Sequence, residues 1–122
     1  ISVHKDVPLY KIVGVNISGA SQEIMKKLQP VIQNHSHLRH FGANALEMAM
    51  FAQGLIDIFI DLRNKIRIQD IAAGYIIVKE AGGLLLDEKF NTLDADLSYE
   101  TRVSFVAAAN QEILDDIFPR EK

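Results

Sequence analysis

The sequence has 122 residues, 48% hydrophobic and 24% charged, with a formal net charge of -3. That is the composition of a single soluble domain with a modest core, and its acidic balance disfavours nucleic acid or an anionic membrane as partner. The lack of cysteine excludes disulfides and thiolate zinc sites and makes the cytoplasm the expected compartment; no apolar run approaches the roughly 20 residues that cross a bilayer.

Tyr10 to Ile17 is short and β-rich and predicts a strand. Gly14 inside it hints at a close backbone approach or a bulge. The turn around Ser18, Gly19 and Ala20 offers Ser18 or Ser21 as a helix cap. Ile24, Met25, Leu28, Val31 and Ile32 then recur at helical spacing, with Pro30 expected to kink or shorten the second half. Leu38 to Phe41 reads as a short strand. Ala43 to Gln53 is apolar nearly all round and reads as a buried helix ending near Gly54.

Leu55 to Leu62 alternates, with Ile56, Ile58, Ile60 and Leu62 on one face and Asp57, Phe59 and Asp61 on the other. Asp70 to Ala81 is helical, capped by Asp70 and stopped by Gly82 and Gly83. Leu84 to Leu86 and Ser104 to Ala109 are further strands. Glu88 to Thr101 lacks periodicity and reads as a loop. Asn110 caps a last helix that ends before Pro119. Strands alternating with helices predict one α/β domain over 1–122: a central, mostly parallel sheet with helices on both faces.

Two segments carry a resemblance. One is Phe41-Gly42-Ala43-Asn44-Ala45-Leu46-Glu47, followed by Gly54 and Asp57. The other is Asp70-Ile71-Ala72-Ala73-Gly74, followed by Lys79-Glu80-Ala81-Gly82-Gly83. In order and spacing they resemble the second half of the inositol monophosphatase family, whose pattern is Gly-Ser-x-Ala-Leu, then Trp-Asp-x-Ala-Ala-Gly, then Glu-Ala-Gly-Gly. Gln69 stands where the family has Trp. The basic stretch Arg63-Asn64-Lys65-Ile66-Arg67 looks more like the archaeal members, which accept both inositol phosphate and fructose bisphosphate.

The resemblance implies the carboxy-terminal subdomain of a sugar-phosphatase fold and a magnesium-dependent phosphomonoesterase. The family's Asp-Pro-Ile/Leu-Asp-Gly-Thr motif, which holds most of the metal, has no match; Asp94-Ala95-Asp96 lacks its Pro and Gly-Thr. Because the sequence opens on Ile1 rather than Met, a piece of a longer protein is expected. The implied partners are a phosphorylated small molecule and the amino-terminal half of the same enzyme, with a homodimer in the parent. A fragment inactive by itself is expected. The alternative is a binding or oligomerisation module that keeps only the fold. A nucleotide-binding domain is disfavoured, since Ser18-Gly19-Ala20-Ser21 is a poor glycine-rich loop.

The resemblance implies that Asp70 holds a magnesium ion on the leaving-group side; a plain helix cap is the other reading. Gly42, Ala43 and Asn44 open a helix, where free N–H groups and partial positive charge suit a phosphorylated substrate, or where a close helix contact needs small residues. Asp61 falls near the family's acidic residue for a sugar hydroxyl and is otherwise a solvated strand end. Arg63, Lys65 and Arg67 alternate, so an extended segment points all three one way, towards a second phosphate or as a charged edge that discourages strand pairing. His35, His37 and His40 have no carboxylate or cysteine beside them and read as a polar loop rather than a zinc site. Asn16-Ile17-Ser18 fits a glycosylation sequon but spans a strand end and is set aside.

Overall fold

The computed structural model describes residues 12–34, 37–40, 44–93 and 102–118, with backbone alone for 44, 45 and 67–71. Among the described residues a five-stranded sheet of order β2-β1-β3-β5-β4 carries four helices. β1 (Val13–Val15) is followed by α1 (Gln22–Asn34), β2 (Leu38–Arg39) and α2 (Asn44–Ala52). Then come β3 (Ile58–Arg67), α3 (Ile68–Glu80), β4 (Leu84–Leu86), β5 (Arg102–Ala108) and α4 (Gln111–Ile117).

Ser21 caps α1, its Oγ accepting from the Ile24 amide at 3.2 Å. Leu28 and Val31 bury its inner face. Pro30 does not shorten the helix, which runs on to Asn34. Both Pro30 and Lys26, whose carbonyl a residue at 30 would normally serve, are exposed, so water meets the freed carbonyl. At the other end of the chain Asn110 caps α4, its Oδ1 accepting from the Ile113 amide at 2.9 Å, as its sequence predicts.

β1 pairs with β2 and β3 in parallel, and β5 pairs antiparallel with both β3 and β4. Only β5 therefore runs against the other strands. A parallel return from β4 would need a crossover, and the described part of the connection, 87–93, folds back in a tight turn. Asp87 builds that turn, its Oδ1 accepting from the Lys89 and Asn91 amides at 2.8 and 3.0 Å.

Helices cover both faces. α2 and α3 pack together on the face of Phe59 and Phe105. On the other face Leu62 and Ser104 share a small cavity with Ile24 and Lys27 of α1. Lys27 donates to the Glu88 carbonyl at 3.2 Å and lies over the Phe90 ring, which meets Phe118 beyond α4. Covered on both sides, Ile58 to Leu62 is buried at every position, so the two faces inferred from alternation are both interior.

The glycines after α3 have separate jobs. Gly82 takes a φ of +88°, and the amides of Gly82 and Gly83 reach back to the Lys79 and Val78 carbonyls at 3.1 and 3.0 Å, which closes the helix end. Gly83 makes room: a Cβ there would lie 2.8 Å from the Phe51 ring. Gly83→Ala is expected to destabilise the chain by about 1–3 kcal/mol through overpacking, read as a lower urea midpoint with unchanged m-value.

Asp57 is buried at the end of the sheet remote from the β1 turn. Its Oδ2 accepts from the Ile12 amide at 2.8 Å, its own amide donates to the Ile12 carbonyl, and its carbonyl accepts from Ala109. One residue thus ties the start of β1, the start of β3 and the end of β5.

Candidate functional site

β1 lies between its two parallel neighbours, so the chain leaves it towards β2 on one side and later enters β3 on the other. The crevice outside the carboxyl ends of strands at such a reversal is where α/β sheets bind ligands. Here it is polar. Asn16, Asp61 and Glu47 are three of the buried polar side chains among the described residues. Asn16 directly follows β1 and donates its amide to the Ile60 carbonyl at 3.0 Å, which sets it beside Asp61.

Asp61 is not a solvated strand end. Its side chain is 0% exposed and holds Arg63, itself 13% exposed, in a two-pronged ion pair. Arg63 Nε donates to Oδ1 at 2.9 Å and Nη2 to Oδ2 at 2.8 Å, and the Arg63 amide adds a bond to Oδ1 at 3.2 Å. The hydrogen bond to Asp61 holds the guanidinium proton above even the ordinary arginine range; burial opposes this, and the charges of Asp61 and Glu47 reinforce it. Arg63 is a fixed cation.

The strand does not stop at Leu62. β3 runs to Arg67 and leads directly into α3. Its pairing with β5 passes from Asp61↔Phe105 to Ile66↔Val103, so five steps along β3 match two along β5. Three extra residues bulge out, helped by Asn64 at a φ of +56°, a left-handed value that Asn tolerates. The bulge reaches over the β1 turn. Arg63 Nη1 donates to the Ser18 carbonyl and Lys65 Nζ to the Gly19 carbonyl, each at 2.9 Å.

Arg63 and Lys65 both reach the β1 turn, brought there across the bulge at Asn64 rather than by regular strand alternation, and each gives a donor to a backbone carbonyl. Arg67 closes β3; its side chain lies outside the described residues. Asp70 stands in the first turn of α3, two residues after its start at Ile68, rather than at the cap; its side chain too lies outside the described residues. Asn44 is the first residue of α2, while Gly42, Ala43 and His35 lie outside the described residues.

Sequence reasoning missed three residues here. Asn16 stands out in the sequence only as part of a sequon, and the signal it carries is a lone amide near the end of the β-rich run Tyr10 to Ile17. Glu47 is wholly buried, and it is the one charged residue in Ala43 to Gln53. His40 follows β2, and its Nε2 lies 3.1 Å from Asn16 Oδ1 and 3.5 Å from Ser18 Oγ.

A magnesium ion takes about six oxygen ligands, several of them waters. Among the described residues no three His, Asp or Glu side chains gather into a metal site. The described side chains therefore do not fit a complete magnesium centre by themselves. No helix among the described residues is long and apolar enough to cross a membrane.

The profile of the inositol monophosphatase family matches residues 9–119. The chain belongs to that family. The fructose-1,6-bisphosphatase/inositol-1-monophosphatase of Methanocaldococcus jannaschii is 45% identical over 80 residues, 66% of this chain and 32% of the relative. The crystal structure of an inositol monophosphatase–fructose 1,6-bisphosphatase superimposes with a TM-score of 0.81 at 37% identity, over 97% of this chain and 46% of that one. A Pyrococcus horikoshii protein with similarities to inositol-1 monophosphatase gives 0.78 at 31%, over 96% and 44%. This inositol monophosphatase family member thus spans about a third of its curated relative and less than half of the solved chains.

Proposed function

We propose that this chain is the carboxy-terminal half of a magnesium-dependent phosphomonoesterase that hydrolyses inositol monophosphate, fructose 1,6-bisphosphate or both, and that it is inactive alone. The observation that carries the reading is the polar crevice at the sheet reversal in a member of this family. There a buried carboxylate, Asp61, fixes the Arg63 cation. The β1 turn and the β3 bulge meet there.

When bound, magnesium lowers the pKa of a water and stabilises the leaving oxygen of a phosphate ester. This chain's share is orientation and charge. Asp70 contributes one ligand to a site completed by the other half. The Gly42–Asn44 turn presents backbone N–H groups to the substrate, and Asp61 sets Arg63 while Arg63, Lys65 and Arg67 attract its anionic groups. Substrate held in this way loses little further freedom on the path to reaction.

A second reading, a module that binds or oligomerises without catalysis, is favoured by apolar exposure on the helices: Ile76 is 62% and Leu46 52% exposed. The same residues suit a face covered by the remainder of an enzyme. The deciding assay is phosphate release from inositol 1-phosphate and fructose 1,6-bisphosphate with magnesium, by the full-length protein and by the 122-residue chain. The full-length protein is expected to turn over. Asp70→Asn is expected to lose more than the roughly 10–100-fold that an outer-shell partner costs, and the chain alone is expected to be silent. No release by the full-length protein from either ester leaves the module reading; release by the isolated chain at the full-length rate removes the half-enzyme.

A further inference from the structure

The helices on the two faces of the sheet end in different surfaces. α1 exposes Glu23, Lys26, Lys27, Gln29 and Gln33, the polar side of an amphipathic helix. α2 and α3 have no such side along most of their length. α2 sets Met48 and Phe51 into the core, and on its far side carries Leu46, exposed, with Ala49 and Met50 half-buried. α3 buries Val78 and lays Gly74 against Met48, where a Cβ would come within 2.6 Å of the sulfur. On its far side Ala73, Ile76 and Ile77 are all exposed. Charge in α3 is confined to Asp70 in the first turn and to Lys79 and Glu80 in the last.

A single exposed apolar side chain is ordinary. Here the spacing i, i+3, i+4 recurs on the far sides of two helices that pack together. A helix apolar all round is one that is covered all round. α2 and α3 therefore have the sequences of helices held between two layers, and the sheet supplies one of them.

The face also has a direction. Met48 meets Gly74 and, one turn later, Phe51 meets Gly83 just beyond α3, so the two helices run the same way. β3 leads straight into α3, which therefore starts on the carboxyl side of that strand, the side of the crevice. One end of the apolar face thus borders the crevice.

The chain covers 46% of one solved relative and 32% of a curated one, so more than half of each lies beyond the matched part. A segment joined by the same backbone meets such a face at an effective concentration on the order of millimolar, ahead of a free second copy. The described side chains also leave the metal centre incomplete, so the remaining ligands have to arrive at this same end.

We propose that the outer face of α2 and α3 is an internal interface, covered in the full-length protein by its amino-terminal part, which is thereby set beside the crevice. This rests on the half-enzyme reading and deepens it by naming the surface through which the halves join. The face is then closed to other molecules, and Leu46, Ile76 and Ile77 are core residues of the whole protein.

The test is thiol alkylation of full-length Leu46→Cys and Ile76→Cys by iodoacetamide, with each site read by peptide mass. Native labelling about 100-fold slower than labelling of the same thiol in urea is expected, as for a site reached only by local opening. Slowing of less than about 10-fold, which an open face gives, overturns the proposal. A benzophenone on a Glu80→Cys thiol, at the rim of the face, then identifies the cover in a mixture of isotopically heavy and light protein. Cross-links to the amino-terminal part within one molecule are expected. Heavy–light pairs would make the cover a second copy, and cross-links only within residues 1–122 would make it this chain's own segment; either overturns the proposal. Phosphate release by the wild type with magnesium is read separately. A protected face without release removes the phosphatase reading and leaves the interface, and release with an open face does the reverse.

Discussion

Arg63→Ala is expected to destabilise this chain by about 3–5 kcal/mol, the usual result of stranding one member of a buried ion pair. The stranded group is Asp61, whose carboxylate is 0% exposed and cannot turn to water. The main-chain amide at position 63 would still donate to its Oδ1, but both guanidinium bonds would be gone. Asp61→Ala is expected to cost less, because the Arg63 side chain is already 13% exposed and can swing outward. The double replacement is expected to lie closer to wild type than Arg63→Ala alone, since no charge is left buried. Urea unfolding of the three variants, followed by circular dichroism, reads the order directly. If Arg63→Ala costs under about 1 kcal/mol, Asp61 is not held in place by the pair as the geometry requires.

Phe59→Ala is expected to cost a similar amount, about 3–5 kcal/mol, for a different reason. Phe59 is wholly buried near the start of β3, with its ring 5.3 Å from that of Phe105 at 78°, an edge-to-face contact across two strands. It also lies over Gly14, where a Cβ would come within 3.2 Å of its Cδ1. Gly14 therefore keeps a space that the ring fills. Gly14→Ala alone destabilises by crowding, and in the Phe59→Ala background the same methyl fills part of the cavity. The two changes together are expected to cost less than their sum, and thermal unfolding of the four proteins in the cycle measures the coupling. Strict additivity would mean that Gly14 and Phe59 are not in contact.

Much of the fold was legible because apolar spacing reports which face a residue buries. β4 begins at Leu84 and ends at Leu86, as the short apolar run suggested, and Asn110 caps α4 through its own side chain. The direction of β5 was not legible, because Glu88 to Thr101, read as a loop, carries no pattern that fixes which way the next strand returns. The extension of β3 to Arg67 was not legible. Its pattern is interrupted by a bulge that only the register against β5 reveals.

The candidate site divides in the same way. Residue types at a strand end could be read, so Asp61, Arg63 and Lys65 were singled out. Their engagement could not be read, because Ser18 and Gly19 are 45 and 46 residues away along the chain and accept through backbone carbonyls. A main-chain oxygen leaves no mark in a sequence. His40 and Asn16 were passed over for a related reason: 24 positions separate them, and the sheet alone brings them together.

The order of the strands bears on how copies of this chain meet. The long strands, β3 with 10 residues and β5 with 7, lie inside the sheet, and its two margins are β2 with 2 residues and β4 with 3. A margin so short offers few unsatisfied backbone groups to a strand from another molecule. Cross-β growth by edge addition thus has little template here, and self-association of the chain at high concentration should go through side chains on the helices. A hydrophobic dye and a small apolar competitor would then compete with it, while backbone-capping strand mimics would not.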